Sequence, residues 1–221
     1  MSATLPQVRP GIPRLLEVVV ALLGLTLVSP FLLLAMLVVR LTSPGPVVFR
    51  QQRIGRGGRP FTIFKLRTMK VDHDGPGVTG RVDTRVTPAG HWLRLTKLDE
   101  FPQLWNVVIG DMSFVGPRPE LTLYVNLDNP MWKRVLEARP GITDPVTLRL
   151  KDESLLMPTA EAERERFYLE TLQPFKLRGY LEYLSHRTAW SDVGVVMATV
   201  FGILRRAKPA ELAEILKTDQ V

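Results

Sequence analysis

VVVALLGLTLVSPFLLLAMLVV, residues Val18–Val39, sets the architecture of this chain, because it holds no charged side chain over 22 consecutive positions. As a straight helix it would measure about 33 Å, enough to cross a hydrocarbon core of about 30 Å. A cleaved signal peptide fits poorly, because the apolar region is too long and no small-residue cleavage site follows it. The segment therefore predicts a helix that enters the membrane.

The middle and the flanks of this segment favour a re-entrant helix over a spanning one. Ser29 and Pro30 lie near its centre, and a proline there removes a backbone donor and clashes with the preceding turn, so a bend is expected. Arginines occur on both sides, at Arg9 and Arg14 before the segment and at Arg40, Arg50, Arg53, Arg56 and Arg59 after it. The positive-inside rule would keep both flanks on the cytoplasmic side. Because kinked helices also span membranes, a spanning helix remains the alternative.

The charge balance and the absence of cysteine narrow the function classes. The 221 residues carry 29 Lys and Arg against 22 Asp and Glu, and the net charge of +7 predicts an anionic partner such as a membrane surface, a phosphorylated ligand or nucleic acid. Without cysteine, a disulfide framework, a thiolate metal site and a thiol nucleophile are excluded. The length suits one domain, so we expect a membrane-inserted segment over 1–42 and a head over 43–221.

A β-hairpin rich in cations is predicted after the membrane segment. Val47–Phe49 and Phe61–Phe64 have strand character and flank the turn Gly55–Gly58. Two-residue alternation places Lys65 and Arg67 on the same side, where they suit a phosphate group. A solvated strand face that binds anionic lipid weakly is the alternative. No P-loop, GxGxxG, HExxH or GxSxG motif occurs, so P-loop nucleotide-binding, dinucleotide-binding, metalloprotease and α/β-hydrolase classes gain no support.

The adjacent carboxylates Asp99 and Glu100 form the clearest candidate for catalysis. Apolar residues recur at helical spacing over Leu98–Ile109, and a glycine that can stop a helix follows. If Asp99 is the N-cap, Pro102 falls in the first turn, where its missing donor costs little, and both carboxylates lie at the positive end of a short helix. Ordinary capping by an aspartate is the alternative, and the spacing of Thr96 and Asp99 offers a second start as a capping box.

Two arginines beside prolines are candidates for binding oxyanions. Arg118 lies between Pro117 and Pro119, so its guanidinium is carried on a stiff backbone that suits a bidentate contact. Arg139, which precedes Pro140, repeats this chemistry. For each of them, a surface arginine on a turn is the alternative.

Several motifs in a fixed order make the sequence similar to a known family. It resembles the bacterial sugar transferases, the monotopic polyprenyl-phosphate phosphoglycosyl transferases, over roughly residues 12 to 205. The matching stretches are Ser43–Val47, Gln52–Gly55, Phe64–Met69, Thr96–Asn106, Gly110–Pro119, Arg139–Thr143 and Leu181–Trp190. Members of this family begin undecaprenol-linked glycan assembly, such as exopolysaccharide or lipopolysaccharide biosynthesis.

The resemblance implies a two-step reaction with a covalent intermediate. Asp99 would be the nucleophile and a ligand of Mg²⁺: it attacks the β-phosphate of a UDP-sugar, releases UMP and holds a phosphosugar. Polyprenyl phosphate, deprotonated by Glu100 as general base, then accepts the phosphosugar. Ser29–Pro30 matches the helix break of the family. The resemblance also implies that Lys65, Arg67, Arg94 and Arg118 contact either the substrate phosphates or the Asp99–Glu100 pair, which we call the dyad.

The resemblance also implies a fold and a location. The fold is α/β (α+β): an N-terminal re-entrant membrane helix on a small, mostly helical catalytic head with a short β-hairpin and interfacial amphipathic helices. The location is the cytoplasmic face of the bacterial inner membrane, as a monotopic protein. The implied partners are a UDP-sugar, a polyprenyl phosphate and membrane phospholipids, without nucleic acid, and a homodimer is compatible with them. After Thr143 the chain reads Asp144–Leu148, where many members have a Gly-Leu-Ala-like continuation, so the resemblance assigns the reaction and leaves the sugar open.

An apolar stripe near the other end predicts an interfacial helix that lies on the membrane. It consists of Val193, Val196, Met197, Val200, Phe201 and Leu204, flanked by Trp190, Arg205, Arg206 and Lys208. A core helix with a basic end is the alternative. For the aromatic residues Tyr124, Trp132 and Tyr168 we expect core packing.

A different class of function is a non-catalytic, basic, membrane-tethered protein that binds anionic lipid or nucleic acid. The net charge of +7 supports it. Adhesion by charge, however, needs neither the Asp99–Glu100 pair nor arginines held beside prolines.

Overall fold

A long apolar helix, α1, begins the described part of the chain. The computed structural model describes residues 5–71, 84–150, 153, 156–158 and 160–202. α1 spans Arg14–Thr42, which is 29 residues, and is long and apolar enough to cross a membrane. The predicted apolar helix is therefore present, while its re-entrant course stays a prediction.

The centre of α1 contains a local rearrangement of hydrogen bonds at Pro30, through which the helical backbone continues. Because proline has no amide hydrogen, Pro30 cannot donate to the carbonyl of Thr26 one turn earlier. The hydroxyl of Ser29 donates to that carbonyl instead, at 2.8 Å. The hydroxyl of Thr26 donates in turn to the carbonyl of Leu22 at 2.9 Å. Such side-chain bonds to the backbone favour bending, so Ser29–Pro30 is the point at which α1 bends most easily.

One face of α1 packs against the head along almost the whole length of the helix. Its residues recur every three or four positions: Glu17, Ala21, Leu25, Val28, Leu32, Ala35 and Val39. The opposite face exposes large apolar side chains, among them Leu15, Leu23, Leu27, Leu34 and Leu41. Helix and head thus share buried apolar clusters, and the predicted boundary between 1–42 and 43–221 stays a prediction.

The predicted hairpin is present, with longer strands than the apolar pattern indicated. β1 (Val48–Ile54) pairs antiparallel with β2 (Pro60–Leu66). In the connecting turn, Arg56–Gly58, the φ angles of Gly57 and Gly58 are 69° and 75°, a left-handed conformation that glycine adopts at little cost. β1 is longer than predicted because it continues through Arg50–Arg53, and these polar residues gave no apolar signal in the sequence.

A tight turn separates the next two helices, α2 (Pro88–Thr96) and α3 (Gln103–Ile109). Lys97, whose φ of 58° is left-handed, ends α2, and Leu98–Glu100 then forms a 3₁₀ turn. The chain changes direction at Lys97, so the apolar period read as one helix is divided between a turn and a helix. Gly110 ends α3 in a left-handed conformation, as predicted.

The prediction that Asp99 caps a helix is wrong. Pro102 directly precedes α3, and no side chain caps that end of the helix. The capping-box alternative is wrong as well, because the hydroxyl of Thr96 donates back to the carbonyls of Trp92 and Leu93. The carboxylate of Asp99 therefore has no capping function.

The described part of the head also contains two short parallel strands, five further α-helices, a 3₁₀ turn at Thr122–Tyr124 and a π-helical segment at Tyr168–Leu172. The strands β3 (Ser113–Val115) and β4 (Gly141–Thr143) were not predicted, since three residues are too few to show a period. The helices are α4 (Pro130–Val135), α5 (Pro145–Leu150), α6 (Glu161–Phe167), α7 (Gln173–His186) and α8 (Ala189–Gly202). The mixed class, mostly helical with little sheet, agrees with the expectation.

The largest apolar core packs around α4, α5 and α7. Tyr124, Trp132 and Tyr168 are all buried in it, so the prediction of core packing is confirmed. Two smaller clusters join α1 to β2, α2 and α3. Leu98 and Phe101, which flank Asp99 and Glu100, pack against these clusters, so the segment that carries the two carboxylates lies close to α1.

The last described helix, α8, exposes most of its apolar residues. Trp190 is 84% exposed, and Val193, Met197, Val200 and Phe201 are exposed as well, whereas Asp192 is buried. The alternative of a core helix is therefore wrong for this part of the chain. Whether the exposed face lies on a membrane stays a prediction, and Leu204, Arg205, Arg206 and Lys208 lie outside the described residues.

Candidate active site

The Asp99 carboxylate is buried at the turn between α2 and α3 and lacks a full set of partners. The residue is 7% exposed, and its Oδ1 atom is buried without a hydrogen-bond partner among the described residues. A buried carboxylate that neither caps a helix nor completes its hydrogen bonds costs folding free energy. Such a group is typical of a binding or catalytic site rather than of a structural contact.

Glu100, the next residue, faces the hairpin. Its Oε1 atom accepts a hydrogen bond from Nζ of Lys65 on β2 at 3.4 Å. The hairpin and the α2–α3 turn are thereby joined by a largely buried ion pair. The structure thus places Lys65 beside Glu100, one of the two residues of the dyad.

The two adjacent carboxyl groups have very different acidities. Burial, reinforced by the neighbouring charge of Glu100, raises the pKa of Asp99 to about 6. Burial also acts to raise the pKa of Glu100, but the charges of Lys65 and Arg118 outweigh it and lower that pKa to about 2. Burial lowers the pKa of Lys65 despite the attraction of Glu100. Adjacent groups whose pKa values are pushed apart are a signature of divided roles in catalysis.

Arg118, Arg94 and Lys97 are further cations whose charges act on the dyad: Lys97 on both carboxyl groups, Arg94 on Asp99 and Arg118 on Glu100. Burial acts to lower the pKa of Arg118, but the negative charges of Glu100, Glu153 and Asp144 outweigh it and raise that pKa. The backbone beside Arg118 is held by two bonds, from the amide of Gly141 to the carbonyl of Pro117 at 3.0 Å and from the Arg53 guanidinium to the carbonyl of Pro119 at 3.2 Å. Nε of Arg94 donates to the hydroxyl of Thr68 at 2.9 Å, and its charge acts on Asp99.

Arg67 and Arg139, the other two predicted phosphate-binding residues, have different surroundings. Nη2 of Arg67 donates to the carbonyl and hydroxyl oxygens of Ser43 at 2.8 and 2.7 Å, at the end of α1. Its Nε and Nη1 atoms are buried and have no partner within the part of the chain that the structure describes. Nε of Arg139 donates to the carbonyl of Gly110 at 3.1 Å. Burial and the nearby Arg14 lower the pKa of Arg139. The structure thus gathers Lys65, Arg94 and Arg118 at the dyad and leaves Arg139 at the far end of α3.

A buried ionic network behind Arg118 was missed by the sequence analysis. Lys176 on α7 lies 3.4 Å from Glu120 and 3.3 Å from Glu153, and the Tyr168 hydroxyl donates to Glu120. Arg118 is electrostatically linked to the same network through Glu153. The position of Lys176 between the apolar residues Phe175 and Leu177 is a signal in the sequence that could have pointed to this network.

The residues around Asp99 fit a magnesium ion that shares its coordination with a substrate. In the described segments, no group of three acidic or histidine side chains could form a complete protein-only site. The dyad supplies two carboxylates, of which Asp99 has an oxygen atom without a partner. Mg²⁺ is usually held by one or two carboxylates together with substrate phosphates and water, so this donor set is sufficient.

Comparison with known proteins identifies relatives over nearly the whole chain. The family model described as Bacterial sugar transferase matches residues 8–206. A Caulobacter vibrioides protein named UDP-glucose:undecaprenyl-phosphate glucose-1-phosphate transferase is 40% identical over 219 residues, which cover 92% of this chain and 77% of the relative.

Two further relatives differ in length, and the name of one of them gives a different sugar. The Aeromonas hydrophila UDP-N-acetylgalactosamine-undecaprenyl-phosphate N-acetylgalactosaminephosphotransferase is 32% identical over 87% of this chain, which spans 44% of the length of that protein. The exopolysaccharide production protein PSS of Rhizobium leguminosarum is 32% identical over 88% of this chain and 96% of its own length. With a family model that matches almost every residue of the head and relatives of this similarity, the chain belongs to the bacterial sugar transferase family.

Proposed function

We propose that this protein transfers a sugar 1-phosphate from a UDP-sugar to a polyprenyl phosphate, with release of UMP. The observation that carries the proposal is the buried Oδ1 atom of Asp99, which has no hydrogen-bond partner among the described residues. The positive charges of Lys65, Lys97 and Arg94 act on this carboxylate, and that of Arg118 acts on the neighbouring Glu100. A partner-free carboxylate among cations suits a nucleophile that meets a diphosphate. The names of the relatives supply the donor and acceptor classes.

In the first step, a carboxylate oxygen of Asp99 attacks the β-phosphorus of the UDP-sugar. A P–O bond forms to Asp99, and the bond between the β-phosphorus and the bridging oxygen breaks, so UMP leaves with that electron pair. In the second step, a phosphate oxygen of the polyprenyl phosphate attacks the same phosphorus, and the Asp99 carboxylate is released. Carboxylates serve as covalent phosphoryl acceptors in other enzymes, which makes this role chemically reasonable.

Glu100 is assigned to proton removal from the acceptor phosphate. A group with a pKa of about 2 is a weak proton acceptor, because Lys65 and Arg118 stabilise its charge. When these two cations also bind the phosphates of a substrate, their hold on Glu100 weakens and its basicity rises. Substrate binding would therefore activate the base, and the ion pair would keep it charged and oriented beforehand.

Lys65, Arg94 and Arg118 are assigned to the phosphate oxygens of the donor. Negative charge grows on the leaving UMP during the first step, and fixed cations in a largely buried site stabilise it strongly. Arg67, beside Ser43 at the end of α1, is assigned to a phosphate that arrives from the membrane side. Asp99 would hold Mg²⁺ through its free oxygen atom, and the ion would supply charge neutralisation on the diphosphate.

The protein would lie on the membrane with α1 inserted as a re-entrant helix. α1 packs along the head from Glu17 to Val39, so a helix that crossed the bilayer along its normal would bring the head into the hydrocarbon region. Exposed apolar residues next to α1 support an interfacial position instead: Trp92 and Leu95 on α2, and Trp105 and Ile109 on α3. With arginines on both flanks, the face would be cytoplasmic and the membrane the bacterial inner membrane.

The test is UMP release in detergent from a panel of UDP-sugars, with polyprenyl phosphate and Mg²⁺. Asp99→Asn should abolish release, whereas the matched surface substitution Asp128→Asn should leave it unchanged, because Asp128 is exposed. Intact-mass measurement with donor alone should detect a phosphosugar adduct on the wild type. Absence of UMP with every donor would reject the transferase, and UMP release without an adduct would reject the covalent step.

A further inference from the structure

The outer edge of β2, beside Lys65, is occupied by a single side chain from α3. Asn106 is fully buried, and its Oδ1 atom accepts a hydrogen bond from the amide of Phe64 at 3.2 Å. Its Nδ2 atom donates to the carbonyl of Thr62 at 2.7 Å. A neighbouring strand would bond to the same two backbone groups, so the amide side chain takes the place of a strand.

A third contact determines how the amide of Asn106 is oriented. Nδ2 also lies 3.4 Å from a carboxylate oxygen of Asp111, which can only accept a hydrogen bond when ionised. The nitrogen atom thus faces two acceptors while the oxygen atom faces a donor. With the amide flipped, its nitrogen would face the amide of Phe64 and its oxygen would face the two acceptors, so none of the three hydrogen bonds could form.

The position of Asn106 connects the two sides of the candidate active site. Phe64, which it binds, is followed directly by Lys65 on β2. Asn106 itself lies in α3, whose first turn follows Glu100 after two residues. The separation of Lys65 and Glu100 therefore depends on how α3 sits against β2, and the amide of Asn106 links the two elements at that place.

We infer that Asn106 is a positioning residue for the phosphate-transfer site, which acts by holding Lys65 against Glu100. The inference rests on the proposed function and adds to it a residue with no direct contact to the reacting groups. Loss of the amide would leave the backbone groups of Thr62 and Phe64 unpaired and allow β2 to move relative to α3. A displacement of about 1 Å at a catalytic group can reduce a rate about 100-fold, so the expected effect is on turnover.

The test is a double-mutant cycle on UMP release with Asn106→Ala, Lys65→Met and the combined variant. Asn106→Ala should lower kcat about 10- to 100-fold with less than about a threefold change in KM for the UDP-sugar. In the Lys65→Met background the same substitution should have almost no further effect, because residues that act as a unit are not additive. If the two effects multiply, or if Asn106→Ala keeps wild-type kcat, the inference is wrong.

A matched control separates positioning from general stability. Asn129 also makes a side-chain bond to the backbone, from the amide of Met131 to its Oδ1 atom at 2.9 Å, but it caps α4 away from the dyad. Asn129→Ala should keep wild-type kcat in the folded fraction, and a loss equal to that of Asn106→Ala would overturn the inference. If Asn106→Ala does not fold, Asn106→Ser takes its place in the cycle. Wild-type UMP release, measured in the same experiment, tests the proposed function separately.

Discussion

The ammonium group of Lys65 lies 3.4 Å from Oε1 of Glu100, and the two side chains are only 20% and 17% exposed. This pair joins the hairpin to the turn that carries Asp99. Because water is largely excluded from it, its charges act on their neighbours more strongly than those of a surface pair would. The acidity of Glu100 and the electrostatic environment of Asp99 both depend on this contact.

Lys65→Met should therefore lower the single-turnover rate of UMP release about 100-fold or more, because a fixed cation near the leaving group is lost. The measurement is rapid-quench detection of UMP with excess enzyme in detergent. Lys133→Met, on the exposed surface of α4, is the matched control and should retain the wild-type rate. A Lys65→Met rate within threefold of the wild type would contradict an electrostatic role for this lysine.

Asp99→Asn should make the protein more stable at neutral pH while it abolishes turnover. The pKa of Asp99 is raised to about 6 in the folded state, so the ionised form costs stability above that pH, and the cost vanishes as the pH falls below the ordinary value of the carboxyl group. The shift corresponds to at most about 3 kcal/mol. Thermal unfolding of both proteins in detergent at about pH 7.5 and about pH 4 measures it. An equal gain at both pH values would show that the charge of Asp99 is not the cause.

Lys176→Met should destabilise the head strongly, by about 3–5 kcal/mol, because it leaves the buried carboxylate of Glu120 and the partly buried carboxylate of Glu153 without their cation. Urea-induced unfolding measures the loss. The double variant Lys176→Met with Glu120→Gln removes one uncompensated charge and should recover part of it. A double variant less stable than Lys176→Met alone would mean that Glu120 is stabilised by other groups.

Cysteine labelling should place both ends of α1 on the same side of the membrane. The chain contains no cysteine, so Gln7→Cys and Gln52→Cys, at exposed positions before and after α1, each provide a unique thiol. In intact spheroplasts both should resist a membrane-impermeant thiol reagent and react after lysis. Labelling of one position alone in intact cells would demonstrate a spanning helix.

Removal of divalent cations with EDTA should stop UMP release, and added Mg²⁺ should restore it. The reason is that Mg²⁺ is usually held by one or two carboxylates together with substrate phosphates. The Oδ1 atom of Asp99, which has no hydrogen-bond partner among the described residues, is suited to bind Mg²⁺ together with the diphosphate of the donor. Thermal unfolding of the chelated protein serves as the control for intact folding. Turnover that is insensitive to EDTA would remove the metal from the mechanism.

The long apolar helix and the hairpin could be predicted, and the adjacent carboxylates could be found, because each has a local signal. An uncharged apolar run, strands around a glycine turn and adjacent carboxylates are visible within a few neighbouring residues. The relation of Ser29 to Pro30 is local in the same way, since the hydroxyl and the carbonyl it binds belong to one helical turn. The predicted helix start at Asp99 was wrong, because the chain turns at Lys97 and α3 begins only at Gln103. The sequence did not indicate this turn, since its left-handed residue is a lysine and not a glycine.

Long-range contacts had no such signal. Lys65 and Glu100 are 35 positions apart, and Asn106 reaches Thr62 across 44 positions. Arg139 is likewise separated from the dyad by a distant contact, since it binds the carbonyl of Gly110 at the end of α3 opposite to the one that follows Glu100. The amino-acid sequence alone therefore determined which reactive side chains the protein has and which local elements carry them, because these depend on neighbouring positions. Which of them meet, and with what acidity, followed from burial and proximity, and these arise when distant segments pack together.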